Sequence, residues 1–144
     1  MRQTDTPDHP EILARHGSLV VLVEDDDGLR AALKRVLRAW GFETRAYASA
    51  EAALADDHLD RPDCLVVDIG LPGLSGLELV DRLRLRGNRA PVIVISAQEE
   101  AQLRDAIRQR GIEHFLAKPF LGSVLVRNVD AVLGEGQRGR NADR

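Results

Sequence analysis

The sequence predicts an α/β fold, a doubly wound five-stranded parallel sheet with helices on both faces. Three observations predict it. Apolar runs of strand length alternate along the chain with amphipathic stretches of helix length. Three of these runs are continuous and rich in Val and Ile, as strands buried on both faces require. Charged and polar residues then recur where the runs stop: Glu24-Asp25, Asp68, Ser96 and Lys118.

Taken in order, the predicted strands are Leu19–Val23, Glu43–Tyr47, Cys64–Val67, Val92–Ile95 and His114–Ala117. The first predicted helix carries Leu29, Ala32, Leu33, Val36, Leu37 and Trp40 at steps of three and four, which makes one stripe. Asp26 or Asp27 can cap its start, and Gly41 closes it. Ser49 caps a second helix over Ala50–Leu59. The third opens on Ser75-Gly76-Leu77-Glu78, a capping box in which Ser75 and Glu78 can each satisfy a first-turn amide, and continues through Val80, Leu83 and Arg84. Leu103, Ala106, Ile107 and Arg110 mark a fourth, ended by Gly111. Leu121, Val124, Leu125, Val129, Val132 and Leu133 mark the last.

At 144 residues the chain is long enough for one domain with a substantial core, and its 3% aromatic content makes that core aliphatic. The organisation read from composition is a flexible extension over 1–17 with a short helical turn near Ile12 and Leu13, a domain over 18–133, and a Gly- and Arg-rich flexible tail or linker over 134–144. Met1 reads as an ordinary N-terminus. A net charge of -3 gives no electrostatic reason for this domain to bind nucleic acid directly. No apolar stretch approaches the roughly 20 residues that span a bilayer. One cysteine, Cys64, excludes an internal disulfide framework and fits a reducing, cytoplasmic setting; it opens a buried strand and reads as inert core. The four histidines are not clustered at metal spacing.

In open parallel sheets ligands sit beyond the carboxyl ends of the strands, at a topological switch point. Glu24, Asp25, Asp68, Ser96 and Lys118 all lie at such ends. A carboxylate there can attack phosphorus and hold the product as an acyl phosphate. An anionic phosphodonor repels it, and a Mg²⁺ ion offsets that repulsion. Mg²⁺ takes one or two protein carboxylates plus phosphate oxygens and waters. Asp25 and Asp68 suit direct ligands, Glu24 a direct or water-mediated one, and the Gly70 carbonyl a further one. Lys118 supplies a compact charge for phosphate oxygens, and Ser96 a hydroxyl donor.

From Ser18 to Leu133 the chain resembles the receiver domain of two-component response regulators. The residues that carry the resemblance are Val-Leu-Val-Glu-Asp-Asp at 21–26, Val-Val-Asp-Ile-Gly-Leu-Pro-Gly at 66–73, Val-Ile-Ser-Ala at 94–97 and Phe-Leu-Ala-Lys-Pro-Phe at 115–120. It implies a (βα)5 flavodoxin-like receiver fold. It implies that Asp68 is the phosphoacceptor, Glu24 and Asp25 the acidic metal pair, Ser96 the switch hydroxyl, Lys118 the family lysine and Phe115 the rotating aromatic, with a cis peptide before Pro119. Its implied donor is a histidine kinase or a histidine phosphotransfer protein. Its implied output is a downstream protein partner or an output domain outside this sequence, with homodimerisation on phosphorylation through the fourth-helix to fifth-helix face. Such a domain is a signalling phosphoacceptor, not an enzyme on external substrates; it catalyses only its own aspartyl phosphorylation and dephosphorylation. Gly70 and Gln98 stand at the two positions that tune acyl-phosphate hydrolysis in receivers, and Gly70 has no side chain to orient water. Two other functions compete. A phosphohydrolase forming an aspartyl phosphate needs a second acid two residues after Asp68, where Gly70 stands. A receiver-like module that is never phosphorylated has no use for the intact set of acids, serine and lysine.

Overall fold

The structure, a computed structural model, describes residues 17–56, 61–97 and 101–142. The strands are β1 (Leu19–Val23), β2 (Glu43–Tyr47), β3 (Cys64–Asp68), β4 (Val92–Ser96) and β5 (His114–Ala117), and the helices α1 (Asp27–Ala39), α2 (Ala50–Ala55), α3 (Gly76–Leu85), α4 (Ala101–Gln109) and α5 (Gly122–Ala142). The sheet runs β2-β1-β3-β4-β5, all parallel. The predicted fold class is what the chain adopts. The three central strands are buried along their whole lengths, which is why they read as unbroken apolar runs. β2 lies at an edge and is only partly covered, so it carries Glu43 and Arg45.

Two aliphatic layers flank the sheet. Val21, Val23, Leu65, Val67 and Val94 face one layer with Leu77, Val80 and Leu83 of α3 and Ile107 of α4. Val20, Leu22, Val66, Ile93 and Ile95 face the other, with Leu33 and Leu37 of α1 and Leu125, Val129 and Val132 of α5. Period-two alternation of side chains along each strand divides the core this way.

Helix ends follow local chemistry. Asp26, not Asp27, caps α1: its carboxylate accepts from Leu29 N–H at 2.8 Å, leaving Asp27 to pair with Arg30. Ser49 and Ser75 cap α2 and α3 by accepting from Ala52 and Glu78 N–H. Gly41 and Gly111, both at positive φ, close α1 and α4 with paired backbone bonds into the preceding turn. Gly87 closes α3 in the same way, an ending that the sequence reading did not name.

Several expectations need correction. α2 ends at Ala55, not Leu59, because Asp56 leaves the helix and its carboxylate accepts the Tyr47 hydroxyl; 57–60 lie outside the described residues. β3 and β4 each run one residue further than expected, so Asp68 and Ser96 belong to strands. α5 continues past Leu133 to Ala142, since its glycines weaken a helix without removing a backbone donor as proline would. Ala32 and Val124 are exposed rather than in their stripes, and Leu121 precedes α5 at 71% exposure. The expected turn near Ile12 and Leu13 and the residue Gln98 lie outside the described residues. No helix among the described residues is long and apolar enough to cross a membrane.

Candidate functional site

Strand register builds the site. Val23 pairs with Val67, so Glu24, the next residue, comes level with Asp68. Asp68 pairs with Ile95, one residue before Ser96, and Ser96 pairs with Ala117, one residue before Lys118. Backbone bonds extend the ladder beyond the strands: Ile69 N–H donates to the Ile95 carbonyl at 3.0 Å, and Lys118 N–H to that of Ser96 at 2.8 Å. Glu24, Asp68, Ser96 and Lys118 thus leave one sheet edge within two residues of the same level. They lie at the point where chain order reverses between β1 and β3.

Lys118 is the hub. Its Nζ donates to Glu24 Oε1 at 2.8 Å and to Asp68 Oδ2 at 2.7 Å. Asp68 Oδ1 accepts from Gly70 N–H at 2.8 Å. The Lys118–Pro119 peptide is cis, as the resemblance implied. Glu24 is fully buried, Asp68 is 4% exposed and Ser96 3%. Asp25 is exposed at the mouth. These residues, with Gly70 and Leu103, line one open cleft of about 600 Å³.

The two buried acids are not equivalent. Burial, then the neighbouring Asp68 carboxyl, pushes Glu24 up to about 7 against the pull of Lys118. For Asp68 burial acts upward too, but the Glu24 carboxyl, the Lys118 ammonium and the Gly70 N–H outweigh it and hold its pKa below the usual value. Burial lowers the Lys118 pKa, and the hydrogen bonds to Asp68 and Glu24 more than reverse that. Near neutral pH the pair therefore shares its protons unequally, with Asp68 the ionised member.

The donor set fits a hard divalent cation. One carboxylate oxygen each from Glu24, Asp25 and Asp68 lies within 4.8 Å of the others. Glu24 Oε2 is buried and has no hydrogen-bond partner among the described residues. A buried carboxyl oxygen left without a partner is costly, and a cation that displaces any proton there satisfies it.

The cleft therefore gathers six of the seven residues singled out in the sequence. Phe115 is not among them. It packs against the core layer of α3 and α4 and lines a separate cleft of about 590 Å³ with Arg104, Ile107, Arg108 and Ile112. Sequence reasoning missed Arg30, which donates to the Glu24 carbonyl at 3.0 Å and to Asp27 at 2.6 Å. It also missed the role of Gly76, where a Cβ would stand 2.3 Å from the Asp68 carbonyl oxygen. Only the Gly after the capping serine hinted at that close approach.

Residues 20–130 match the family described as the response regulator receiver domain. The chain belongs to the response regulator receiver family. Transcriptional regulatory protein PrrA of Mycobacterium tuberculosis is 39% identical over 114 residues, covering 79% of this chain and 49% of PrrA. Transcriptional regulatory protein FixJ of Azorhizobium caulinodans is 36% identical over 136 residues, 93% of this chain and 62% of FixJ. The receiver chain thus spans about half the length of the first of these relatives. Among solved structures, the receiver domain of the sensor histidine kinase PA1611 from Pseudomonas aeruginosa is 28% identical with a TM-score of 0.73, covering 82% of this chain and 98% of that one; it holds a magnesium ion in its active-site cleft. As a receiver of two-component systems, the domain belongs to a signalling family that works with histidine kinases and output domains.

Proposed function

We propose that the chain accepts a phosphoryl group onto Asp68 and so switches an output surface. The observation that carries this reading is the triad of buried Glu24, Lys118 and Asp68, with Asp68 held ionised between a cation and a backbone amide. The donor is a phosphohistidine on a histidine kinase or a histidine phosphotransfer protein. Asp68 Oδ attacks phosphorus in line; a P–O bond forms, the P–N bond breaks, and the electron pair leaves with the donor imidazole, which takes up a proton. Glu24, Asp25, Asp68 and the Gly70 carbonyl would hold Mg²⁺. When bound, Mg²⁺ supplies the positive charge that lets the anionic donor approach an anionic nucleophile.

Lys118 stays on the phosphoryl oxygens as Asp68 loses its own charge to the new bond. Glu24 gives up its proton as the site charges. The Ser96 hydroxyl turns to the new acceptor oxygens, and Phe115 follows into the space left behind. Phosphorylation adds about -1.5 to -2 charges, and it biases the two states only through contacts that differ between them. Gly70 offers no acid two residues beyond Asp68, which disfavours a phosphohydrolase on external substrates. We place the domain in the cytoplasm, beside its kinase, with output through a protein partner or an attached domain and with dimerisation on phosphorylation.

The test is intact mass after incubation with Mg²⁺ and acetyl phosphate. One added phosphoryl group, labile to hydroxylamine, supports the reading. No adduct, together with no beryllofluoride complex, overturns it.

A further inference from the structure

The segment from Asp68 to Gly76 returns on itself. At its far end Gly76 lies against the Asp68 carbonyl and the Ile69 Cα, where a Cβ would meet them at 2.3 and 2.8 Å. Near its start Gly70 N–H donates to Asp68 Oδ1. Between these points the backbone turns at Gly73, with φ +73°. That turn needs an outside support, since glycine at positive φ is the least restrained residue of a loop.

Glu51, 23 residues earlier in the first turn of α2, provides it. Its Oε1 accepts from Leu74 N–H at 3.2 Å. Its Oε2 lies where Gly73 comes closest, 2.7 Å from the position of a Cβ there. One carboxylate therefore spans two consecutive residues of the loop. Ser49, capping α2 two residues earlier, sets the first turn from which Glu51 reaches.

We infer that Glu51 is a positioning residue for the Asp68 site: by holding Leu74, beside the Gly73 turn, it sets the loop that presents the Gly70 amide, and the carbonyl beside it, to Asp68 and its cation. It touches neither donor nor metal. The inference rests on the metal reading above but can be tested apart from it, because the Gly70–Asp68 hydrogen bond exists without an ion.

The experiment compares wild type, Glu51→Ala and Glu51→Gln. Glutamine keeps an oxygen acceptor and loses only the charge; alanine loses both. Mg²⁺ alone is titrated calorimetrically, and amide exchange is followed at Gly70 and Leu74. Loss of one hydrogen bond should weaken Mg²⁺ binding about 3- to 10-fold in Glu51→Ala and speed exchange at both amides, with Glu51→Gln within about twofold of wild type. Unchanged Mg²⁺ affinity and exchange in Glu51→Ala overturns the inference. So does equal loss in both variants, which would make Glu51 a helix charge rather than a loop acceptor. If wild type itself binds no Mg²⁺, the metal reading fails, and the Gly70 and Leu74 amides alone decide: faster exchange in alanine but not glutamine upholds the inference, and no difference overturns it.

Discussion

β3 has an aspartate at each end, and the two are put to opposite uses. Asp63, just before the strand, is exposed; its carboxylate accepts from Leu19 N–H at 2.7 Å while its own N–H donates to the Leu19 carbonyl at 2.8 Å. It ties the first residues of β1 and β3 together. Asp68, in the last position, is buried beside another acid and a lysine. The difference lies in what surrounds each carboxylate. A backbone amide satisfies an acid and leaves it inert. An acid, an amine and an oxygen without a donor leave a site that a cation and a phosphoryl group can complete.

The largest effect expected of this contrast is on phosphorylation. Asp68→Asn, nearly isosteric, should abolish the acetyl phosphate adduct and keep the fold; Asp63→Ala should keep the adduct and cost about 1 kcal/mol of stability through one lost hydrogen bond. Mass spectrometry and urea unfolding of both variants check this, and an adduct on Asp68→Asn would break the comparison.

Next comes Gly76→Ala. A methyl group 2.3 Å from the Asp68 carbonyl oxygen meets backbone, not a flexible side chain, so something must shift. The expected cost is about 1–3 kcal/mol, with loss of the adduct as Asp68 leaves Lys118. Full phosphorylation of a folded Gly76→Ala protein would show that the strand end tolerates displacement.

The pH dependence of stability sharpens the comparison further. Between its ordinary 4.5 and about 7, Glu24 keeps its proton in the folded state after the unfolded chain has released it. Stability contributed by this group therefore falls as pH rises through that window. Asp68 acts in the opposite sense: held below 3.8, it contributes stability that is present at neutral pH and lost in acid. Glu24→Gln should flatten the decline between pH 4.5 and 7 in thermal scans without metal. An unchanged slope would mean that Glu24 ionises with the rest of the surface.

The smallest effect is expected of Cys64, between the two aspartates. Burial, then Asp63, pushes its thiol up to about 12. Alkylating reagents at pH 8 should leave the folded protein unlabelled and label it fully in denaturant. Rapid native labelling would show that β3 opens locally.

Much of this was legible in sequence. Parallel strands buried on both faces read as apolar runs, and the polar residues that end them mark one edge of the sheet, so Glu24, Asp25, Asp68, Ser96 and Lys118 could be placed together in one cleft. What joins distant segments was not. Glu51 reaches Leu74 through a turn whose geometry only the packed α2 and α3 define. Asp56 ends α2 early because Tyr47, on an adjacent strand, takes its carboxylate. Asp81 and Arg110 join α3 to the end of α4 through two bonds of 2.9 Å, although Arg110 had looked like part of a helix stripe. α5 runs further than its glycines suggest, because a glycine ends a helix only where it takes a positive φ, as Gly41 and Gly111 do.

The single tryptophan has a use of its own. Trp40 stands at the far end of α1, packed against the layer shared with α5. At 1.5 Å per residue, α1 carries it about 20 Å from the acidic cleft. Its fluorescence is thus an optical gauge of whether the domain is folded, placed well away from Asp68. In one cuvette, unfolding can be read from Trp40 while occupancy of the cleft is read by another signal, and each variant's chemistry can be separated from its stability.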